Sequence, residues 1–558
     1  MLRSRYYYQT LAVLALMLLA GLAFSAGAQQ SALGKVDFPV TGSEKARAHF
    51  LRGVAALHSF WYEEALEAFR ESTRIDPDFA MGYWGEAMAY NHSLWQEQDT
   101  EAGRKVLGKL RGLDKVTPRE RAYINAVKIL YGDGDKQTRD RAYSAAMEKI
   151  YHDYPDDLEA AAFYSLSLLG MVRPGEKGFA RQMKAAAIAL DVFQKNPDHP
   201  GAAHYIIHAF DDPEHAILAL PAARRYSQIA PEAHHARHMP SHIFIQLGMW
   251  PEAAASNESS WATSVEWVKR KNYPITRRDY HSLHWLTYVY LQQGRFAKAA
   301  ELIAQMQSDI RQSAEVRQRG YMPMAAAYVV ETGRWAEAAR LFNEEERKDQ
   351  KAAGDGHAGH APAATQQNQS PAYSNRPRGS SLPVFVRAMA AISTGAQAEA
   401  ERFLAELKAM RQEAERENSY RAKIIGIMEL EVAALASSAR GNQDEAIELM
   451  KKATALEEDM SPPSGPPDVI KPSHELFGEI LLKARRPAEA AQQFATSLAR
   501  QPNRARSLLG AARAAAQSGD QQGAAAAYAK FLEIWRQADA DLSELDEARA
   551  FMSQASSR

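Results

Sequence analysis

Histidine is concentrated in one short part of this chain. The stretch HHARHMPSH, residues 234–242, holds four of the seventeen histidines in the sequence. Neutral imidazole is a common metal ligand and suits zinc, copper, nickel and iron. Two histidines four residues apart share one face of a helix, with Cβ atoms about 5–6 Å apart, and can hold one ion. His204 and His208 have this spacing. His238 and His242 have it too, so the sequence raises the hypothesis of a histidine-lined metal site.

The elements that would carry these histidines are helices. Alanine-rich amphipathic segments run through nearly the whole chain and alternating β-branched runs are scarce, which predicts an all-α fold. Six times a glycine is followed five residues later by an alanine. The glycine is predicted to end one helix, and the alanine to let the next helix pack closely against it. The pairs are Gly248/Ala253, Gly294/Ala299, Gly333/Ala338, Gly395/Ala400, Gly441/Ala446 and Gly519/Ala524.

Other landmarks repeat after 34 residues. Ala490 and Phe494 recur in this way as Ala524 and Tyr528. A small–small–aromatic–proline series is formed by Gly53, Ala65, Phe69 and Pro77. With these spacings the chain resembles the tetratricopeptide-repeat (TPR) family, a helix–turn–helix solenoid with a period of 34 residues. The resemblance extends from about residue 45 to 538. It implies a right-handed superhelical solenoid of about twelve helical hairpins.

The resemblance also implies which residues face the concave groove of the solenoid. In the family, the first helix of each hairpin lines this groove, commonly through positions 2, 5, 9, 12 and 13 of the repeat. Seven histidines of three neighbouring repeats fall on such positions: His204, His208, His235, His238, His242, His281 and His284. Pro240 interrupts the pattern because proline removes a helix hydrogen bond. The helix is therefore predicted to begin at Pro240, with His235 and His238 on the loop before it.

A metal-bound histidine also needs an acceptor for its second ring N–H. Local candidates for this role are Asp211, Asp212, Glu214, Glu258 and Asp279. The alternative for the whole cluster is a set of solvated or hydrogen-bonded histidines that form the polar lining of a peptide-binding groove.

Four strings carry a finer resemblance, to a group of exported bacterial TPR proteins. They are HYIIHAF (204–210), HARHMPSHIFIQLG (235–248), DYHSLH (279–284) and SGPPDVIKPSHELFGEILL (464–482). This resemblance implies no particular reaction. It does imply that one shared feature contains the KPSHE segment, residues 471–475, and five histidines: His204, His208, His238, His242 and His281.

A partner in the concave groove would need anchoring side chains. Aromatic candidates on predicted groove positions are Trp84, Tyr288, Tyr321 and Tyr328, for which packing between helices is the alternative. Glu475 and Glu479 fall on positions 5 and 9 of their repeat, and ordinary solvated helix glutamates are the alternative there. A peptide or protein partner is expected in this groove.

The N-terminal residues and the composition indicate the cellular compartment and exclude some kinds of site. Residues 1–28 have the basic start, short apolar run and small-residue cleavage site of an export signal, which predicts a bacterial periplasmic protein with no membrane span once it is cleaved. The alternative is that this segment is retained as an N-terminal anchor. The chain has no cysteine, which excludes disulfides and thiolate metal sites. Its 67 basic and 68 acidic residues argue against nucleic acid as a partner.

Two segments interrupt the repeats and set the predicted domains. Residues 350–381 are rich in Gly, Ala, Pro, Gln and Ser and are predicted to be a flexible linker between an array at 29–349 and one at 382–558. His357 and His360 lie in this linker and are treated as incidental. Residues 460–472 hold five prolines and cannot be helical.

The sequence therefore predicts an exported TPR solenoid that binds a peptide or protein partner through its groove. The same groove would hold a divalent zinc, copper or nickel ion on its histidines. The alternative is a metal-dependent hydrolase that uses the histidine cluster. No catalytic motif decides between them: HELFG at 474–478 begins like a zinc-protease motif, but Gly478 stands where the second histidine is required.

Overall fold

The computed structural model of the protein describes residues 32–173, 175–342, 381–417 and 419–556. Within these ranges nearly all regular structure is helical, which confirms the predicted all-α solenoid. The predicted signal peptide, 1–28, lies outside the described residues, and so does the predicted linker except for Ser381 at its end. Among the described helices, none has both the length and the apolar composition needed to cross a membrane.

The first part of the chain contains eight helices and one small hairpin in its described residues. Helices α1 to α8 are Glu44–His58, Tyr62–Ile75, Ala80–Met88, Thr100–Leu107, Pro118–Leu130, Lys136–Asp153, Leu158–Leu169 and Ala180–Lys195. Between α3 and α4, strands β1 (Asn91–His92) and β2 (Glu97–Gln98) pair antiparallel, with Asn91 opposite Gln98.

The middle of the chain carries the predicted histidine cluster. Helices α9 to α17 are Pro200–Ala209, Ala216–Ile229, His234–His238, Pro240–Gln246, Trp250–Arg270, Tyr280–Gln292, Phe296–Gln312, Tyr321–Thr332 and Ala338–Leu341. Helices α18 to α26 follow the undescribed stretch: Ser381–Ser393, Gln397–Glu417, Ser419–Ala439, Gln443–Glu458, Ser473–Lys483, Pro487–Arg500, Ala505–Gln517, Gln521–Ile534 and Ser543–Ser556. Helix α18 packs against α16, so the array continues across the gap.

The glycine–alanine pairs act as the sequence predicts. All six glycines follow the end of a helix and have φ between +64° and +88°, a left-handed conformation that costs glycine little. The six alanines that follow are at most 4% exposed, so each lies where two helices approach closely. The local sequence therefore determines where one helix of a hairpin ends and where the next packs against it.

Pro240 breaks the helix where the sequence predicts it. Helix α12 begins at Pro240, because the first helical position needs no backbone N–H donor. His235 and His238 lie just before the break, on the five-residue helix α11 rather than on a loop. Met239 between the two helices keeps right-handed helical angles, φ −52° and ψ −36°. His238 and His242 therefore remain close, with Nε2 atoms 3.2 Å apart.

The C-terminal repeats fold back onto the repeats that carry the histidines. The indole Nε1 of Trp250 donates to the Asn503 carbonyl at 2.9 Å, and Trp535 Nε1 donates to the Gln292 carbonyl at 3.0 Å. The Asp539 amide donates to the Gly294 carbonyl at 3.1 Å. The solenoid thus packs its own C-terminal part against its middle.

A buried ionic network holds this junction together. Arg504 has no solvent exposure, and its Nε donates to Glu475 Oε2 at 2.7 Å. It also donates to the Tyr288 hydroxyl at 3.1 Å and to Glu331. Burial alone would raise the pKa of Glu475, but the Arg504 charge lowers it below its usual range. Glu475 therefore stays ionised as a structural anion.

The segment after α21 forms a cap over the middle repeats; residues 459–472 are called the cap segment below. It contains no helix. Gly465 has φ +137°, and a Cβ there would lie 2.3 Å from Trp285 Cζ2, so only glycine fits. Gln246 Nε2 donates to the Pro463 carbonyl at 2.6 Å. The cap segment therefore contacts the helices that carry His242 and His281.

Candidate metal centre

Three histidines converge at the junction of α9 and α11, and this set is called cluster A below. His204 and His208 share a face of α9, with their Nε2 atoms 3.0 Å apart. His235 of α11 places its Nε2 atom 3.2 Å from that of His204. The three ligand atoms lie within 4.8 Å of one another, a spacing that fits one ion.

Three further histidines form cluster B from α11, α12 and α14. His238 and His242 place their Nε2 atoms 3.2 Å apart. His281, in the first turn of α14, completes the set, again with ligand atoms within 4.8 Å of one another. The two clusters thus use neighbouring residues of one short helix, His235 for cluster A and His238 for cluster B.

The tautomer of His204 is fixed by a carbonyl group. Its Nδ1 lies 2.7 Å from the backbone oxygen of His58, and a carbonyl oxygen can only accept, so Nδ1 carries the proton. In the neutral ring, Nε2 then presents a lone pair to His208 and His235. That is the form in which an imidazole binds a metal.

The same logic fixes two rings of cluster B. His242 Nδ1 lies 2.6 Å from the Asp211 carboxylate, one of the acceptors proposed from sequence. His238 Nδ1 lies 2.7 Å from Asn257 Oδ1, while the Asn257 amide nitrogen donates to the Ala253 carbonyl at 2.9 Å. Both Nδ1 atoms therefore donate, and the two Nε2 atoms lie 3.2 Å apart. When both rings are neutral, each Nε2 presents a lone pair that a metal ion between them can accept.

Burial keeps these imidazoles neutral. It lowers the pKa of His204, His208, His235 and His281 well below the usual value for histidine. It lowers the pKa of His238 to about 3. Near neutral pH the lone pairs on these rings are therefore free to bind a metal rather than occupied by protons.

Aromatic rings form the walls of both clusters. In cluster A, the Phe60 ring centroid lies 4.3 Å from that of His204 and 5.8 Å from those of His208 and His235. In cluster B, the Trp285 centroid lies 4.3 Å from that of His242. Such packing fixes the ring planes, and it lowers the local dielectric constant around any bound ion.

The clusters are close to each other and open into one cavity. Ring centroids of His208 and His242 lie 5.8 Å apart, close enough for ions in the two clusters to share a bridging ligand. A cavity of about 500 Å³ is lined by His208, His235, His242 and His281, and thus reaches both clusters. Met460 of the cap segment also lines this cavity.

A third set, His58, Glu159 and His199, is satisfied without an ion. His199 Nδ1 accepts from the Ala202 amide at 3.0 Å, so its Nε2 donates to Glu159 Oε1 at 3.2 Å. His58 places Nε2 2.7 Å from Glu159 Oε2 and Nδ1 2.8 Å from the Tyr205 hydroxyl. Every ring nitrogen has a complementary partner, so this set supports α9 beneath cluster A.

The structure brings together six of the seven histidines singled out from sequence. His284 is buried but lies outside both clusters, where it packs near Gly320. The sequence places these histidines on an open groove. The structure instead buries His204, His235, His238 and His242. His208 and His281 are partly exposed and line a cavity to which the cap segment also contributes. His357 and His360 lie outside the described residues.

The residues predicted to anchor a partner are mostly interior. Trp84, Tyr288, Tyr321 and Tyr328 are at most 3% exposed, and Glu475 is fully buried. Trp84 packs edge-on against Phe163, with ring centroids 5.4 Å apart. Glu479 alone of this set keeps an exposed side chain, and it accepts from Lys471. The packing alternative weighed for the aromatic residues is therefore the one that the structure shows.

Some supporting residues could not be found from sequence. Asn257 and the His58 carbonyl lie 19 and 146 residues from the histidines that they orient. For Trp285, the i, i+4 spacing from His281 does indicate from sequence that the two side chains lie on one helix face. Asp279, proposed as an acceptor, pairs instead with His234 at 3.4 Å and caps α14.

Comparison with known protein families finds two matching segments in the chain. Profiles of the tetratricopeptide repeat match residues 476–539 and residues 46–79. The chain carries tetratricopeptide repeats. No curated protein matches its sequence.

Several solved solenoids resemble the chain at low identity. A tetratricopeptide repeat protein from Parabacteroides merdae is 13% identical, with 58% of this chain and 98% of that chain covered and a TM-score of 0.30. Yeast Tom70 is 12% identical, with 92% and 96% covered and a TM-score of 0.31. Human IFIT1, solved as a dimer with m7Gppp-AAAA, is 13% identical, with 89% and 91% covered and a TM-score of 0.34. These likenesses carry no inference about ligands.

Proposed function

We propose that this protein binds two transition-metal ions side by side, one in each histidine cluster, within a tetratricopeptide solenoid closed by its own C-terminal repeats. The observation that carries the proposal is the facing pair of Nε2 atoms in cluster B, 3.2 Å apart. The Nδ1 protons of both rings are already committed to Asp211 and Asn257. When both rings are neutral, this arrangement directs two lone pairs to one point, where a metal ion can accept both.

The donor set suits zinc, copper or nickel. Each cluster supplies three imidazoles, and borderline metals bind imidazole well. Three protein ligands leave further coordination positions, and the cavity reaches His208 and His242. Bound ions would therefore accept a small ligand from the cavity, which is the arrangement that metal-dependent chemistry requires.

The tetratricopeptide architecture supports a protein-interaction scaffold. A peptide partner in the histidine groove, as expected from sequence, would have to displace the cap segment, which lines the same cavity as the histidines. We therefore assign the histidine groove to metal, and place any protein partner on the outer surface of the solenoid. We further propose that the protein works after export, on the strength of the signal-like residues 1–28.

Metal stoichiometry tests the proposal directly. Tag-free protein, stripped of metal, is titrated by calorimetry with zinc, copper and nickel, and the loaded protein is analysed for metal content. We expect two ions per chain. A double variant, His208→Ala with His242→Ala, removes one ligand from each cluster. It should weaken binding by more than about 100-fold, since loss of an outer-shell partner alone costs about 10–100-fold.

Two control variants distinguish metal binding at the clusters from nonspecific binding by other histidines. His152→Ala changes an exposed histidine of α6 and should leave both affinities unchanged. The pair His357→Ala and His360→Ala should likewise change nothing. Millimolar affinity in the unaltered protein, or equal losses in the double variant and the controls, would rule out the metal function. Far-ultraviolet circular dichroism must show unchanged helix content in every variant.

A further inference from the structure

One part of the cavity lining is apolar and supplies no metal ligand. It is called the apolar wall below and consists of Leu94, Trp95, Leu169, Val172 and Phe179. Leu94 and Trp95 lie in the turn between β1 and β2, Leu169 is the last residue of α7, and Phe179 directly precedes α8. Two separate segments of the chain therefore present apolar side chains to the cavity that the histidines line.

The turn that carries Leu94 and Trp95 is held in a strained conformation. Gln96 has φ +56°, in the left-handed region that residues other than glycine seldom adopt. Its side-chain Nε2 donates to the Val172 carbonyl at 3.0 Å, which ties the turn to the stretch that follows α7. Strain of this kind persists only where the surrounding contacts impose it, and it is concentrated at ligand and active sites.

The apolar wall begins next to cluster A. The Trp95 ring centroid lies 6.2 Å from that of His235 and 5.1 Å from that of Phe60, the ring that packs on cluster A. His208 and His235 line the same cavity as the apolar wall. A molecule in this cavity that contacts the cluster A ion is therefore also in reach of apolar side chains.

The charged side chains of the lining are engaged within the protein or with solvent. Six of its seven acidic residues lie within 3.3 Å of a nitrogen or hydroxyl group of another side chain: Glu176, Asp211, Asp212, Glu458, Asp459 and Asp468. The seventh, Glu214, is exposed. Arg173 and Arg500 donate to backbone carbonyls, and Lys177 donates to Asp459. None of these groups therefore requires an opposite charge on a ligand.

We propose that the cavity binds a small molecule that has a metal-coordinating head group and an apolar body. The head group coordinates the ion in cluster A, and the body lies against the apolar wall. The cavity volume of about 500 Å³ suits such a molecule, since cavities for small organic ligands measure about 300–1,000 Å³. This inference rests on the metal binding proposed above and names the class of ligand that the site takes.

A series of alkyl hydroxamates tests the inference, because its members share one metal-coordinating head group and differ only in the length of the apolar chain. Full-length, tag-free protein is loaded with zinc, its metal content is counted, and acetohydroxamate, butyrohydroxamate and hexanohydroxamate are titrated by calorimetry. Each buried methylene strengthens binding by about fourfold, so we expect hexanohydroxamate to bind at least about 20-fold more tightly than acetohydroxamate. The metal content is counted again after each titration to show that the zinc was retained.

Three variants make the result specific. Leu94→Ala shortens a half-buried side chain of the apolar wall. It should weaken hexanohydroxamate binding at least about threefold and leave zinc and acetohydroxamate binding unchanged. Leu190→Ala is the matched control, because Leu190 is 41% exposed on α8 and should affect none of the affinities. His208→Ala removes a ligand of the cluster A ion and should weaken the binding of all three hydroxamates.

The outcomes separate the ligand from the metal. Equal affinities for the three hydroxamates, or equally tight hexanohydroxamate binding by metal-free and zinc-loaded protein, would overturn the ligand inference and leave the metal site standing. A Leu94→Ala variant that binds hexanohydroxamate as tightly as the Leu190→Ala control would also overturn it. Protein that does not retain two zinc ions per chain would instead contradict the proposed function itself.

Discussion

At the scale of single residues, the site depends on which ring nitrogen carries the proton. The i, i+4 spacing of His204/His208 and His238/His242 predicts shared helix faces, and the structure brings both pairs together. The spacing of the histidines does not show which ring nitrogen of each faces the other histidines of its cluster. The His58 carbonyl, Asp211 and Asn257 make that choice by accepting Nδ1 protons, and they come from other helices or loops.

Asp211→Asn tests this orientation. The Asp211 carboxylate accepts from His242 through one oxygen and from Gln246, at 3.2 Å, through the other. An asparagine has only one acceptor oxygen, so one of these donors would face an amide N–H. We expect metal affinity to fall by about 10–100-fold with stoichiometry unchanged, as calorimetry would measure.

Asp140→Asn provides the matched control for this variant. Asp140 is also buried and paired, with Lys136 at 2.8 Å, but it lies on α6 away from both clusters. It should not change metal affinity. If Asp211→Asn binds metal as tightly as this control, His242 must be oriented by something other than Asp211.

At the scale of helices and turns, the sequence predicts the features that depend only on residues close together in the chain. The six left-handed glycines and the break at Pro240 follow from local chemistry, and both are present. The position of the cap segment could not be predicted. Its prolines exclude a helix, but its contact with Trp285 joins residues far apart in the chain, and nothing in either local sequence encodes the pairing.

Gly465→Ala tests whether the cap segment helps to shape the site. A Cβ at this position would lie 2.3 Å from Trp285, so either the segment or the indole must move. Because Trp285 packs against the His242 ring, we expect metal binding in cluster B to weaken at least several-fold. Calorimetry should then resolve two unequal sites.

Gly441→Ala controls for backbone strain. Gly441 also has positive φ, +88°, but a Cβ there would meet nothing within 4 Å. This variant should lose about 1–2 kcal/mol of stability from the left-handed conformation alone and keep normal metal binding. Equal effects of the two variants on metal binding would mean that the Trp285 contact does not influence the site.

At the scale of the whole molecule, the repeat period predicts the solenoid but not its closure. Each hairpin is set by contacts within about 34 residues, which a single sequence displays. The fold-back is set by contacts such as that of Arg504 with Tyr288, which join residues 216 positions apart. This is why the sequence assigns Tyr288 and Glu475 to an open groove, whereas the structure places them in a buried junction.

Closure also makes stability depend on pH. In the unfolded chain the cluster histidines titrate near 6.5, whereas burial lowers the folded-state pKa of His238 to about 3. The unfolded state therefore binds more protons below pH 6.5, so stability is greatest above that pH and falls as pH decreases toward 3. A single such group would cost about 2 kcal/mol between pH 6.5 and pH 5. Burial lowers the pKa of His204, His208, His235 and His281 as well, so the total loss should exceed that of one group.

Thermal unfolding of metal-free and metal-loaded protein between pH 7.5 and pH 5 measures this linkage. We expect the midpoint of the metal-free protein to fall steeply below pH 6.5. Bound metal should raise the midpoint at every pH, since metal at about 100 times its Kd adds about 2.7 kcal/mol to the folded state. The double variant His208→Ala with His242→Ala removes at least one buried titrating group, so its midpoint should change less with pH. A midpoint that stays level to pH 5 in the metal-free protein would mean that these histidines are hydrated or protonated in solution, and that the closed junction opens readily.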